Sequence, residues 1–140
     1  MKILLVEDNP AEARLVQEAL KEGRVAAKLF WAKDGLEALD FLYQRGQYTE
    51  VPRPDLILLD LNLPRLNGKE VLQQVKQDPA LLNIPIVMLS TSSARQDVQD
   101  AYAAHANSFM TKPADFDKFM EMVKLIDAYW LGGVALPSRL

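Results

Sequence analysis

The chain has 140 residues, with 16 Lys and Arg against 19 Asp and Glu, 49% hydrophobic and 25% charged residues, and a net charge of −3. This is one globular domain, not a disordered chain, and its mild acidity argues against non-specific nucleic-acid binding. The absence of cysteine and the single histidine, His105, exclude disulfide scaffolds, Cys-ligated zinc, Fe–S clusters and thiol catalysis, and leave no multi-His metal site.

Ile3-Leu4-Leu5-Val6 reads as a strand buried on both faces, stopped by Glu7-Asp8-Asn9-Pro10. Asn9 is placed to cap a helix with Pro10 at its first position, and Leu15, Val16, Ala19 and Leu20 follow at helical spacing up to Gly23. Ala27 to Ala32 is a second apolar stretch. Asp34 and Glu37 have capping-box spacing and open a second helix. Arg45 to Pro54 reads as a long loop. Leu56-Ile57-Leu58-Leu59 is a central strand ended by Asp60, and Gly68 precedes a helix reaching about Gln77. Ile84 to Leu89 is a fourth strand, followed by Ser90-Thr91-Ser92-Ser93 and a polar helix over about 94–104. Ser108 to Thr111 is a short strand before Lys112-Pro113. Phe116, Phe119, Met120, Val123, Ile126 and Trp130 stripe a long last helix.

Strands alternating with helices predict an α/β fold: a doubly wound five-stranded parallel sheet flanked by five helices. Sites in such sheets form beyond the carboxyl ends of the strands. Glu7 and Asp8, Asp60, Ser90 and Lys112 each stand just past a strand end, so they converge on one rim. Three carboxylates in one cleft raise one another's pKa values, and a divalent cation resolves the conflict. Hard oxygen donors point to Mg²⁺, with Mn²⁺ as the alternative. Lys112 adds a mobile positive charge and Ser90 a hydroxyl. The set suits phosphoryl chemistry on a carboxylate nucleophile. Neither GxxxxGK[ST] nor GxGxxG occurs, so the phosphoryl group comes from something other than bound ATP. Taken singly, each residue has a plainer reading as a helix-start acid, a turn residue, a cap or a surface lysine. Their joint placement carries the weight.

With ILLVEDNP, PDLILLDLNLPRLNG, IPIVMLSTS and NSFMTKP, residues 2 to 128 resemble the receiver domain of two-component response regulators. The resemblance implies the flavodoxin-like receiver fold. It implies that Asp60 is the phosphoacceptor, attacking the phosphohistidine of a sensor histidine kinase, and that the chain catalyses only its own phosphotransfer and dephosphorylation. It also implies that Asp8, Asp60 and the Asn62 backbone carbonyl ligate the metal, with Glu7 acting through water. Ser90 and Phe109 become the switch pair, Lys112 pairs with the phosphoryl group, and the Lys112–Pro113 bond is cis. Asn62 and Ser92 occupy positions that tune dephosphorylation. The output is the surface of the fourth helix, fifth strand and fifth helix.

Receiver residues 1–128 are expected to be followed by a tail, 129–140, with Trp130, Leu131 and Val134 and no output domain. The long loop, DLNLPRLNG and the Trp-Leu pair resemble the single-domain regulators of bacterial phytochromes, cyanobacterial type included. That narrower likeness implies a phytochrome-type kinase partner and a homodimer through the fourth and fifth helices and the tail. No signal peptide or membrane span is readable, so a cytoplasmic setting without membrane or nucleic-acid partners is expected. The competing reading is a phosphorylation-independent protein-interaction module of the same fold. An aspartyl phosphatase is disfavoured because Asn62 stands where such enzymes want a second acid.

Overall fold

The computed structural model describes residues 1–139; Leu140, at the end of the expected tail, lies outside the described residues. The elements in chain order are β1 (Lys2–Val6), α1 (Pro10–Lys21), β2 (Lys28–Ala32), α2 (Gly35–Leu42), β3 (Leu56–Asp60), α3 (Gly68–Gln77), β4 (Ile86–Ser90), α4 (Arg95–Ala103), β5 (Ser108–Thr111) and α5 (Phe116–Ile126). The strands form one parallel sheet in the order β2-β1-β3-β4-β5. Chain order reverses between β1 and β3, and the crevice beyond their carboxyl ends is where such sheets place their sites.

Strand alternation divides the core into two layers. Leu4, Val6, Ile57, Leu59, Ile86 and Met88 pack with α2 and α3 on one face. Ile3, Leu5, Leu56, Leu58, Val87 and Leu89 pack with α1 and α5 on the other. β1 beyond Lys2, and all of β3 and β4, are therefore buried on both sides, which explains their unbroken apolar runs.

Local chemistry sets the helix ends. The Asn9 side chain accepts from the backbone N–H groups of Ala11 and Glu12, with Pro10 opening α1. Asp34 accepts from Glu37 N–H, but the Glu37 carboxylate turns to Lys33 N–H and the Tyr48 hydroxyl, so only half the expected box forms. A complete capping box joins Asn67 and Glu70 at the start of α3. At the end of α4, Ala106 N–H donates to Ala101 O and His105 N–H to Tyr102 O, both at 3.0 Å. This is the Schellman pattern, with His105 at φ 72° where glycine is usual.

The 45–54 segment is an ordered loop containing one 3-10 turn, Gly46–Tyr48. The Tyr48 ring packs 5.5 Å from Phe41, and Gln44 Nε2 donates to Val51 O at 2.7 Å.

The last helix differs from expectation. α5 stops at Ile126 and widens into one π-type turn over Asp127–Leu131, closed by Gly132 N–H on Asp127 O at 3.0 Å. The extra residue per turn brings Leu131 into the core and leaves Trp130 half-buried beside it. Leu136 is buried in turn, and the Ser138 hydroxyl donates to Asp55, whose other oxygen accepts from Lys2 N–H at 2.7 Å. The tail thus folds back against the end of the sheet opposite the rim.

The expected cis bond at Lys112–Pro113 is not found: no peptide bond among the described residues is cis. The trans form is the intrinsically favoured isomer of an X–Pro bond, and in it Lys112 already reaches the rim.

Candidate functional site

β1 and β3 end side by side, with Val6 registered on Leu59, so the next residues of both strands emerge into the same crevice. Carboxylate oxygens of Glu7, Asp8 and Asp60 all lie within 4.8 Å of one another. Glu7 and Asp60 are buried, whereas Asp8 is exposed and faces the approach from solvent. The Glu7 backbone is pinned at both polar atoms: its N–H donates to Ala32 O at 3.0 Å, and its carbonyl accepts from Trp31 Nε1 at 2.7 Å. Asn9 N–H donates to the Glu7 carboxylate at 3.2 Å, tying the cluster to the α1 cap.

Lys112 enters from the end of β5, where its N–H donates to Ser90 O at 2.6 Å. Its buried Nζ lies 2.6 Å from Glu7 Oε1, 2.9 Å from Glu12 Oε2 and 3.4 Å from Asp60 Oδ1. Ser90 is fully buried at the end of β4, and its hydroxyl accepts from Ser92 N–H at 3.0 Å. Ser92 Oγ donates to Asp97 at 2.8 Å and accepts from Ala94 N–H, so it organises the start of α4. Asn62 is exposed two residues past Asp60. Phe109, on β5, is half-buried against the α3/α4 layer, and its N–H donates to Tyr102 Oη at 3.1 Å.

The electrostatics follow from burial. Burial, the hydrogen bond with Glu12 and the nearby Asp60 charge push the Glu7 carboxyl up to about 8. Burial also raises Asp60, with Asp8 adding to the rise and Lys112 opposing it. Burial alone would lower Lys112, but its bonds to Glu7 and Glu12 and the Asp60 charge outweigh that and raise it, so the ammonium keeps its proton. Glu12 is lowered, first by its hydrogen bond with Glu7 and further by Lys112. One ammonium cannot balance this many acids. Hard carboxylate oxygens at this spacing suit an oxygen-preferring divalent cation, which would displace the proton from Glu7.

Glu7, Asp8, Asp60 and Lys112 therefore converge as expected. Glu12 was not anticipated, because an acid in the first turn of a helix already has a sufficient explanation in the helix dipole. A usable signal was its position, one turn past the Glu7-Asp8 pair. A groove of about 670 Å³ between the end of α1 and α5 is lined by residues such as Arg24, Met120 and Lys124 and lies away from the rim.

Residues 3–124 match the family described as response regulator receiver domain. Response regulator Rcp1 of Synechocystis sp. is 48% identical over 136 residues, covering 97% of this chain and 92% of that protein. The Mn²⁺-bound crystal structure of Rcp1 superposes with a TM-score of 0.94 over 97% of this chain and 98% of that one. The phosphorylated cyanobacterial phytochrome response regulator RcpA, 47% identical, gives 0.94 with 97% of each chain covered.

Proposed function

The chain belongs to the response regulator receiver family, and from that membership we propose that Asp60 accepts a phosphoryl group from the phosphohistidine of a sensor histidine kinase. The observation that carries this is the convergence of Glu7, Asp8, Asp60 and Lys112 on one rim. An Asp60 carboxylate oxygen attacks phosphorus as the P–N bond breaks. The bonding pair leaves with the imidazole nitrogen, and the product is an acyl phosphate. Little covalent work falls to the protein, so catalysis is positioning and charge neutralisation.

Mg²⁺ or Mn²⁺, held by Asp8, Asp60 and the Asn62 carbonyl with Glu7 through water, would neutralise charge on the phosphoryl oxygens. Lys112 supplies the protein's own positive charge. Ser90 donates its hydroxyl to a phosphoryl oxygen once it leaves Ser92 N–H, and Phe109 turns inward behind it. The α4–β5–α5 surface is thereby re-biased as the output.

The same premise supports a finer reading. The likeness to the phytochrome response regulator RcpA supports a phytochrome-type kinase as the phosphodonor. Residues 1–128 act as the receiver and 129–140 as part of a homodimer contact with α4 and α5. Exposed Leu125 and Tyr129, and Tyr102 on α4, favour that contact. No helix among the described residues is long and apolar enough to cross a membrane, in keeping with a cytoplasmic setting.

The deciding experiment is intact-protein mass after incubation with acetyl phosphate and Mg²⁺. Wild type should gain one phosphoryl mass, lost under EDTA, and Asp60→Asn should gain none. Labelling of Asp60→Asn to the same extent as wild type would refute the assignment. No labelling of wild type, with no beryllofluoride binding, would favour a phosphorylation-independent interaction module.

A further inference from the structure

Lys112 is the cation that a phosphoryl group on Asp60 needs, yet its shortest contacts are to two other acids. Glu7 Oε1 and Glu12 Oε2 stand at 2.6 and 2.9 Å from Nζ, against 3.4 Å for Asp60 Oδ1. An ammonium has three N–H donors, and these two acids occupy two of them. Glu12 is not one of the three acids grouped at cation-binding distance. Its backbone is fixed by the Asn9 cap, at the start of a helix opened by Pro10, so its reach toward Lys112 is set by α1. A first-turn acid that served only the helix dipole would need no partner a hundred residues along the chain.

We propose that Glu12 is a positioning residue that tethers the Lys112 ammonium away from Asp60, and that the tether must yield before Lys112 can bond a phosphoryl oxygen. This rests on Asp60 being the phosphoacceptor. Glu12 thereby opposes the phosphorylated state in two ways. It competes for Lys112, and its charge repels the incoming anion. The first effect acts only through Lys112, so the two are separable.

The test is calorimetric titration of beryllofluoride into the full chain at saturating Mg²⁺, beside the rate of acetyl phosphate labelling by intact mass. Glu12→Gln should bind beryllofluoride about three- to tenfold more tightly and label faster, the scale of one partly buried charge contact. Glu12→Asp keeps the charge but is one methylene shorter on a backbone fixed by α1, so it loosens the contact and should fall between wild type and Glu12→Gln. In a Lys112→Ala background most of the Glu12→Gln gain should vanish. A full gain there would mean repulsion alone and overturn the tether, as would unchanged or weaker binding in Glu12→Gln. If wild type binds beryllofluoride and Glu12→Gln shows no gain, only the tether fails. If wild type neither binds nor labels, the phosphoacceptor reading fails and the tether with it.

Discussion

The indole Nε1 of Trp31 donates a 2.7 Å hydrogen bond to the backbone carbonyl oxygen of Glu7. A half-exposed aromatic on the edge strand is thereby fastened to the residue that begins the acidic cluster. Cation binding should register in the Trp31 environment. With Trp130→Phe leaving one indole in the chain, titration with Mg²⁺ should change the Trp31 emission in a saturable way. Asp8→Asn should flatten the titration. A flat trace in the parent, with binding proved calorimetrically, would show that the two are not coupled.

A bound cation should also stabilise the fold, because it binds the folded rim and not the unfolded chain. At a hundredfold excess over Kd the gain is about 2.7 kcal/mol. Thermal unfolding with and without Mg²⁺ measures it. The increment should be largely lost in Asp8→Asn, whose exposed side chain contributes little to the core.

Gly68 opens α3 directly beneath the acceptor. A Cβ at that position would stand 2.1 Å from the Asp60 carbonyl oxygen and 2.9 Å from Leu61 Cα. Gly68→Ala should cost about 1–3 kcal/mol, read as a lower urea midpoint at unchanged slope. It should also weaken beryllofluoride binding, because the backbone that must move carries Asp60. Normal stability and binding together would show that the chain relaxes around the methyl group freely.

Tyr48 gives a pH test remote from the rim. Burial and its hydrogen bond to Glu37 push the phenol up to about 12 from 10.0. The folded state therefore holds the phenolic proton more tightly than the unfolded chain. That contribution is fully present below pH 10 and is lost as pH rises toward 12. Wild type should lose more stability than Tyr48→Phe between pH 9 and 11, measured by urea unfolding. Parallel curves would show that the hydroxyl contact adds nothing.

Trp130 is half-buried against the core formed with α1 and α5, so replacing it tests packing as well as association. Leu125 is the cleaner probe, with 61% of its surface exposed. Leu125→Arg should shift sedimentation toward the monomer while leaving thermal unfolding within a degree or two. Unchanged association over a concentration series would remove α5 from the interface.

The strands and the rim were readable because each rests on a strong local signal. β3 and β4 are apolar on both faces and close on Asp60 and Ser90, Glu7 follows the buried run of β1, and Lys112 follows the shorter, half-buried β5. Glu12 was masked by the ordinary role of a helix-start acid. Asn67 and Glu70 form the capping box that Asp34 and Glu37 only half complete, because Tyr48 draws Glu37 away. No pattern in one segment reveals such a rival partner eleven residues on. The π-type turn was likewise hidden, since the stripe through Ile126 and Trp130 continues at helical spacing. Only the buried seat for Leu131 decides the matter. The isomer at Pro113 was an expectation from resemblance, and the trans bond shows how little the local residues demand otherwise.

His105 holds the left-handed cap at the end of α4, three residues before β5 begins, and it is the chain's one imidazole. Its two ring nitrogens are chemically distinct and report separately on what each contacts. Isotope labelling of histidine alone would therefore leave a single pair of ring-nitrogen resonances in an otherwise silent spectrum. That pair is a beacon built into the joint between α4 and β5. Watching it while the opposite end of β4 and β5 is loaded would show whether the helix end stays still or swings, with no dye attached and no residue changed.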